Sequence, residues 1–179
     1  MQHVCAHDRL RVCRGTGFTM IDLILVLAVL AIVTMLALPS VESDQPLKLV
    51  GASTILASDF EFAQSETLAV PADPTEVHID STNGHYWLAR KSAPTTPIDR
   101  PDITTTGSGV PYEVWYGQGD EGYLAGVQIE IIGVGSGVIA YDAFGRLEQS
   151  NDARVKIYND SGDLFVVVTA STGSVSIEE

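Results

Sequence analysis

The segment Arg14-Gly15-Thr16-Gly17-Phe18-Thr19-Met20-Ile21-Asp22 runs straight into LILVLAVLAIVTMLAL, residues Leu23–Leu38, in which Thr34 alone is polar. From Phe18 to Leu38 the stretch holds 21 residues, with Asp22 as its one charge. Coiled as an α-helix at about 1.5 Å per residue it spans ~32 Å, the thickness of one bilayer hydrocarbon core. The spacing predicts a helix able to cross a membrane.

Charge divides around this helix. Residues 1–17 carry Arg9, Arg11 and Arg14 against Asp8, a net of +2, while residues 40–179 carry seven basic and 21 acidic side chains, a net of −14. The positive-inside rule keeps the Arg-bearing end in the cytoplasm and sends the acidic part across. This division explains how a chain of net charge −13 has a mean hydropathy of +0.17: its apolar and acidic residues are segregated. A domain so acidic is poorly suited to nucleic acid, whose phosphates are held mostly by Lys and Arg, so no nucleic-acid partner is expected. Cys5 and Cys13 both precede the apolar run, so the exported core is built without disulfides. Their separation of eight residues does not describe a metal site.

An ordinary secretory signal has an apolar core of about 7–15 residues followed by a small-residue cleavage site. This run is longer, and Ala-Leu-Pro-Ser at its end is a poor site of that kind. The glycine before Phe-Thr-Met-Ile, the acid five places on and the unbroken apolar helix instead resemble the processing site of type IV prepilins and pseudopilins. The resemblance implies cleavage after Gly17 by a prepilin peptidase, N-methylation of Phe18 as the mature N-terminus, and an assembly role for Asp22. Pro39 then falls at the twenty-second mature position, where pilin-like helices often carry a helix-disturbing proline. Family members usually have Glu where this chain has Asp22, one methylene longer in reach. A carboxylate inside an apolar helix costs about 2.5–3.5 kcal/mol at mid-membrane and less near an end. Asp22 either offsets that cost against the α-amino group of a neighbouring subunit or simply reaches the headgroup layer.

Beyond Pro39, the stretch Ser40-Val41-Glu42-Ser43-Asp44-Gln45-Pro46 is expected to interrupt the helix. From Leu47 a helical period resumes, with Leu49, Ala52, Leu56, Phe60 and Ala63 on one face and Ile55 and Phe62 at its edges, ending by Pro71. Short strands follow. Thr75–Asp80 and His85–Arg90 flank Asn83-Gly84, which predicts a two-residue hairpin turn with Thr82 opposite His85. Val77, Ile79, Tyr86 and Leu88 then share one face, and His78, Asp80, Thr82, His85 and Trp87 the other. In that register His78 and His85 lie ~13 Å apart, too far to share one metal ion, and are expected on a solvated face.

Residues 91–111, with four prolines, read as a long loop. Later strands are predicted at Tyr112–Tyr116, Val127–Ile132, Val138–Asp142, Arg154–Tyr158, Leu164–Thr169 and Ser174–Ile177. The closing features Phe144-Gly145, Phe165-Val166-Val167-Val168 and Thr172-Gly173 before Val175 resemble the end of the H-type pseudopilin family of type II secretion and its pilus-side relatives.

No catalytic constellation is legible. Gly133, Gly135 and Gly137 precede a strand-like run rather than a helix, which points to a bulged hairpin and not a phosphate loop. The acidic pairs Asp99/Asp102, Asp120/Glu121 and Asp160/Asp163 lack the ordered spacing of a calcium loop. No cofactor or metal is expected.

The expected fold class is α+β. A long N-terminal helix, half transmembrane and half amphipathic, packs on an antiparallel β-sheet or small β-sandwich. The expected divisions are a leader at 1–17, a transmembrane assembly helix at 18–39, a helical spine at 40–71 and an exported β-rich domain at 72–179. The resemblance implies a structural, non-enzymatic minor pseudopilin of type II protein secretion, held in the inner membrane with its C-terminal domain in the periplasm. Its implied partners are other pilin-like subunits, the prepilin peptidase and methyltransferase, and the inner-membrane secretion platform. The alternatives are a minor pilin of a type IV pilus and a membrane-anchored β domain that binds a ligand.

Overall fold

The computed structural model describes residues 19–37, 44–101 and 109–179, without the side chains of 34–37 and 120. Residues up to Glu42 and residues from Ser43 onward are separate units. In the first, helix α1 spans Met20–Ala37, and its side chains from Met20 to Val33 are exposed all the way round. A helix apolar on every side has no solvated face to offer, so it needs an apolar surrounding. Among the described residues, no helix is long and apolar enough to cross a membrane. The described side chains of α1 extend ~21 Å at about 1.5 Å per residue, short of a hydrocarbon core. Gly17, Phe18 and Pro39 lie outside the described residues.

The second unit is built on helix α2, Gln45–Ala69. It starts two residues earlier than the sequence suggests. Pro46 falls in the first turn, where its missing N–H is unneeded and its fixed φ suits the helix. The expected interruption therefore ends before Pro46. One face of α2 is buried through Leu49, Ala52, Ser53, Leu56, Asp59, Phe60, Ala63 and Thr67. Leu56 and Phe60 are fully buried, each stabilising the fold by about 1.5–3 kcal/mol relative to an exposed side chain. At the C-terminal end the Thr67 hydroxyl accepts from the Thr75 amide at 3.0 Å, which ties the helix to the first strand across Pro71 and Pro74.

Two four-stranded antiparallel sheets complete the unit. The first contains β1 (Thr75–Asp80), β2 (His85–Arg90), β3 (Glu113–Trp115) and β5 (Val138–Ala140), in the order β3-β2-β1-β5. The second contains β4 (Gln128–Ile132), β6 (Ala153–Asn159), β7 (Gly162–Val168) and β8 (Val175–Glu178), in the order β4-β6-β7-β8. Helix α2 packs on β1 of the first and on β6, β7 and β8 of the second. One core runs through all three layers, from Leu56 and Phe60 to Val77, Tyr86 and Leu88 and to Val155, Ile157 and Val166. The helix supplies the apolar partner for both sheets, an α+β arrangement.

Two turns differ from their sequence reading. The β1–β2 hairpin pairs Asp80 with His85, leaving a four-residue loop at 81–84 instead of the two-residue turn. Asp80 causes this: its carboxylate accepts from the amides of Thr82 at 2.9 Å and Asn83 at 3.1 Å and from Asn83 Nδ2 at 2.7 Å. The register shifts by two residues, so each side chain keeps its expected face. The glycine-rich stretch Gly133–Gly137 is not a hairpin, because β4 and β5 belong to different sheets. It carries the chain from one sheet to the other, and the Gly137 carbonyl accepts from the Ile79 amide at 2.8 Å. Loop 91–111, in its described part, is tied to the first sheet by the bridge Ala89–Pro97 and closed on itself by the bridge Asp99–Pro111. A short 3₁₀ turn at Gly119–Leu124, absent from the sequence reading, caps the core with the buried Leu124.

Candidate assembly site

At the start of α1, Thr19 and Asp22 cap each other. Asp22 Oδ2 accepts from the Thr19 amide at 3.1 Å and from its hydroxyl at 2.7 Å, while the Asp22 amide donates to Thr19 Oγ1 at 3.3 Å. This is a reciprocal capping box, with Thr19 before the helix and the acid at its third position, satisfying donors that a helix start leaves open. The sequence carries the signature, Thr-x-x-Asp before an apolar run. Asp22 thus has a local role that neither pairing with a neighbour nor reach to the headgroups anticipates. Its Oδ1 has no hydrogen-bond partner among the described residues. One carboxylate can therefore both start the helix and receive a cation.

In the second unit, the sequence features near the C-terminus converge on α2. In the turn after β5, Asp142 Oδ1 accepts from the amides of Phe144 and Arg146 at 2.9 and 3.0 Å. Its Oδ2 takes the Arg146 guanidinium at 2.9 and 2.7 Å. The turn is locked, and Phe144 projects from it with 77% of its surface exposed. Beneath it, Gln64 of α2 donates through Nε2 to the carbonyls of Gly145 at 2.6 Å and Thr172 at 3.1 Å. One helix side chain thereby joins the Phe144-Gly145 and Thr172-Gly173 turns, which lie far apart in sequence. Gln64 itself carries no sequence signal beyond its place near the buried helix face.

Gly173 is the tightest point of this junction. It has φ +71°, and a Cβ there would run into the Gly145 carbonyl and Gln64 Nε2. Gly173→Ala is expected to destabilise the fold by about 2–3 kcal/mol, the left-handed strain being compounded by backbone collision. Gly84→Ala is the comparison, with φ +67° but open space around it, and about 1 kcal/mol is expected from strain alone. Thermal unfolding followed by circular dichroism should rank Gly173→Ala well below Gly84→Ala.

The histidines do not decorate a solvated face. His78 lies opposite Trp87, and His85 lies opposite Trp115. With the corrected register the two histidines are two ladder positions apart, ~7 Å along the strand, and Trp87 stacks between them. The ring sequence His78–Trp87–His85–Trp115 has centroid spacings of 5.1, 5.1 and 3.8 Å and interplanar angles of 19° or less. The imidazole side chains are 10% and 13% exposed. Burial lowers the pKa of His78 despite Glu76 Oε2 at 3.3 Å, which favours the charged form. Among the described residues, no group of three His, Cys, Asp or Glu side chains is placed to hold a metal ion.

A buried carboxylate escaped the sequence reading. Asp59 of α2 is 7% exposed and accepts from the hydroxyls of Tyr86 at 2.6 Å and Tyr112 at 2.8 Å. Its signal was an acid on the helical face of Leu56, Phe60 and Ala63. Burial raises its pKa above the ordinary carboxylate value, and the two tyrosine bonds and the Arg100 charge pull it back.

With this geometry the chain matches solved structures. The crystal structure of the type IV minor pilin FimU of Pseudomonas aeruginosa covers 75% of this chain and is itself 90% covered, at 13% identity and a TM-score of 0.51. The fold is pilin-like. The minor pseudopilin EpsH of the Vibrio cholerae type 2 secretion system covers 73% of the chain and is 95% covered, at 9% identity and a TM-score of 0.47. No protein-family model matches the chain, and no curated protein matches it. The pilin-like fold is thus carried by a sequence that shares few identities with the structures it resembles. Helix α2 under antiparallel strands holds the two C-terminal turns in place, and Thr19 and Asp22 cap the separate helix α1.

Proposed function

We propose that the chain is a structural minor pseudopilin subunit of a type II secretion pseudopilus. In this reading residues 1–17 are a cytoplasmic leader cut after Gly17 by prepilin peptidase, and Phe18 is N-methylated. Residues 18–39 hold the precursor in the inner membrane and pack between subunits after assembly, while the β-rich domain lies in the periplasm. The observation that carries the reading is a pilin-like domain preceded by an all-round apolar helix that opens on a capped acid. Such a helix meets an apolar surrounding both in a bilayer and in a bundle of like helices. A pilus minor pilin is the second reading, favoured by the likeness to FimU. The seven basic side chains among residues 40–179 favour protein secretion over handling of DNA.

Asp22 gives the test. Asp22→Ala removes charge and cap, Asp22→Asn removes the charge and keeps an acceptor for Thr19, and Asp22→Glu keeps both functions. If an unpaired carboxylate oxygen receives the α-amino group of a neighbouring subunit, Ala and Asn variants should be processed but co-purify poorly with pilin-like partners. Asp22→Glu should co-purify as the parent does. Equal recovery of partners with Asp22→Asn and the parent would reduce Asp22 to a helix cap. Co-purification with secretion pseudopilins rather than a pilus major subunit is the outcome expected of the first reading.

A further inference from the structure

The ring stack on the first sheet ends beside a cavity. Trp115 is covered on one side by His85 at 3.8 Å and 3°, and His85 is backed in turn by Trp87. The Trp115 indole N–H donates to Glu113 Oε2 at 3.2 Å, and the Trp87 indole N–H donates to the Pro94 carbonyl at 2.9 Å. Both indoles are therefore fixed in plane as well as stacked. Trp115 also lines a cavity of about 350 Å³, together with Arg100, Glu113, Gln118 and Glu121. That volume lies at the small end of ligand sites, ~300–1,000 Å³. Arg100 is held in the wall by its backbone bond to Val110 at 2.8 Å and by its guanidinium 5.1 Å over the Tyr112 ring.

We infer that this cavity is a binding site for a neutral saccharide, with Trp115 as the stacking platform. The mixed charges of the described side chains in the wall point to the class. A cation entering would meet Arg100, and an anion would meet Glu113 and Glu121. A neutral polyhydroxylated ring can accept from the guanidinium and from the Gln118 amide and donate to the carboxylates. Its C–H face, slightly positive, suits the negative face of a fixed indole. The backing by His85 and Trp87 matters because a pre-ordered platform loses little freedom on binding. This site needs no filament, so the inference is independent of the assembly reading.

The test is isothermal titration of the full chain, in a detergent without a sugar headgroup, with cellotriose, maltotriose and the trimer of N-acetylglucosamine. At least one should bind with a dissociation constant below about 10 mM, the weak range usual for a small contact. Trp115→Ala should weaken that binding about tenfold or more, and Trp115→Phe, which keeps a platform, within about threefold. Gln118→Ala, at an exposed position that leaves the stack intact, should weaken it several-fold. Parent-like circular dichroism of each variant separates lost binding from lost fold. Absence of binding by all three saccharides would overturn the inference, as would unchanged affinity in folded Trp115→Ala. Tighter binding of tetramethylammonium or sulfate than of any saccharide would also overturn it.

Discussion

Replacing Gly17 with alanine is expected to leave the chain at full length in the membrane, with no product beginning at Phe18. The parent should yield a mature chain that starts at Phe18 and carries one added methyl group. A glycine has no Cβ and lets a peptide backbone lie close against a cutting site, so even one methyl can block approach. The consequence reaches beyond processing. If the Phe18 α-amino group meets Asp22 of a neighbour, as proposed, the uncut variant lacks that group and should also fail to co-purify with partner subunits. Intact-mass measurement of membrane extracts reads the processing and the methylation, and affinity co-purification reads the loss of partners. Normal maturation of Gly17→Ala, or a parent chain that begins at Met1 or near Val41, would mean the motif around Gly17 is coincidental.

Asp59 carries the second large effect. Asp59→Ala leaves two buried tyrosine hydroxyls, on Tyr86 and Tyr112, without their acceptor. Each such loss costs about 1–3 kcal/mol, so ~3 kcal/mol or more is expected together with the cavity left behind. Asp59→Asn keeps an acceptor oxygen and should cost about 1 kcal/mol. The two variants also differ from the parent in pH dependence. Burial raises the folded-state pKa of Asp59 above the ordinary aspartate value of 3.8. The folded state then holds this proton more tightly than the unfolded chain. The contribution to stability is fully present below 3.8 and is lost as pH rises through the raised value. Relative to Asp59→Asn, the parent should therefore weaken as pH rises through that window. Urea midpoints measured at several pH values test this, and parallel curves for the parent and Asp59→Asn would show that the carboxyl titrates alike in both states.

The sequence made some of this legible for identifiable reasons. The buried face of α2 is readable because Leu49, Ala52, Leu56, Phe60 and Ala63 recur at helical spacing, and all five are buried. The two faces of the β1–β2 hairpin were readable from alternation, and they survived a register shift of two residues because side chains alternate with period two. The register itself departs from the expected one at Asp80, which pairs with His85. The Asn83-Gly84 pair signals a tight turn, but a carboxylate that accepts from two amides and the Asn83 side chain closes the loop around four residues. The histidines keep the expected face beside Trp87, but that face is not solvated, because Trp115 of β3 joins them in a ring stack that covers it.

By itself the sequence determined the order of helix and strands, the buried face of α2, the faces of the hairpin and the apolar run behind Gly17. These depend on residues two to four apart, whose side-chain directions follow from the backbone period. Only the tertiary structure decided that β4 and β5 part into different sheets and that Asp59 meets two tyrosines. It alone brought Gln64 to both C-terminal turns and Trp115 to the end of a ring stack. Those contacts join residues as many as 108 positions apart. No local period encodes them, because they follow from how both sheets compete to cover one helix.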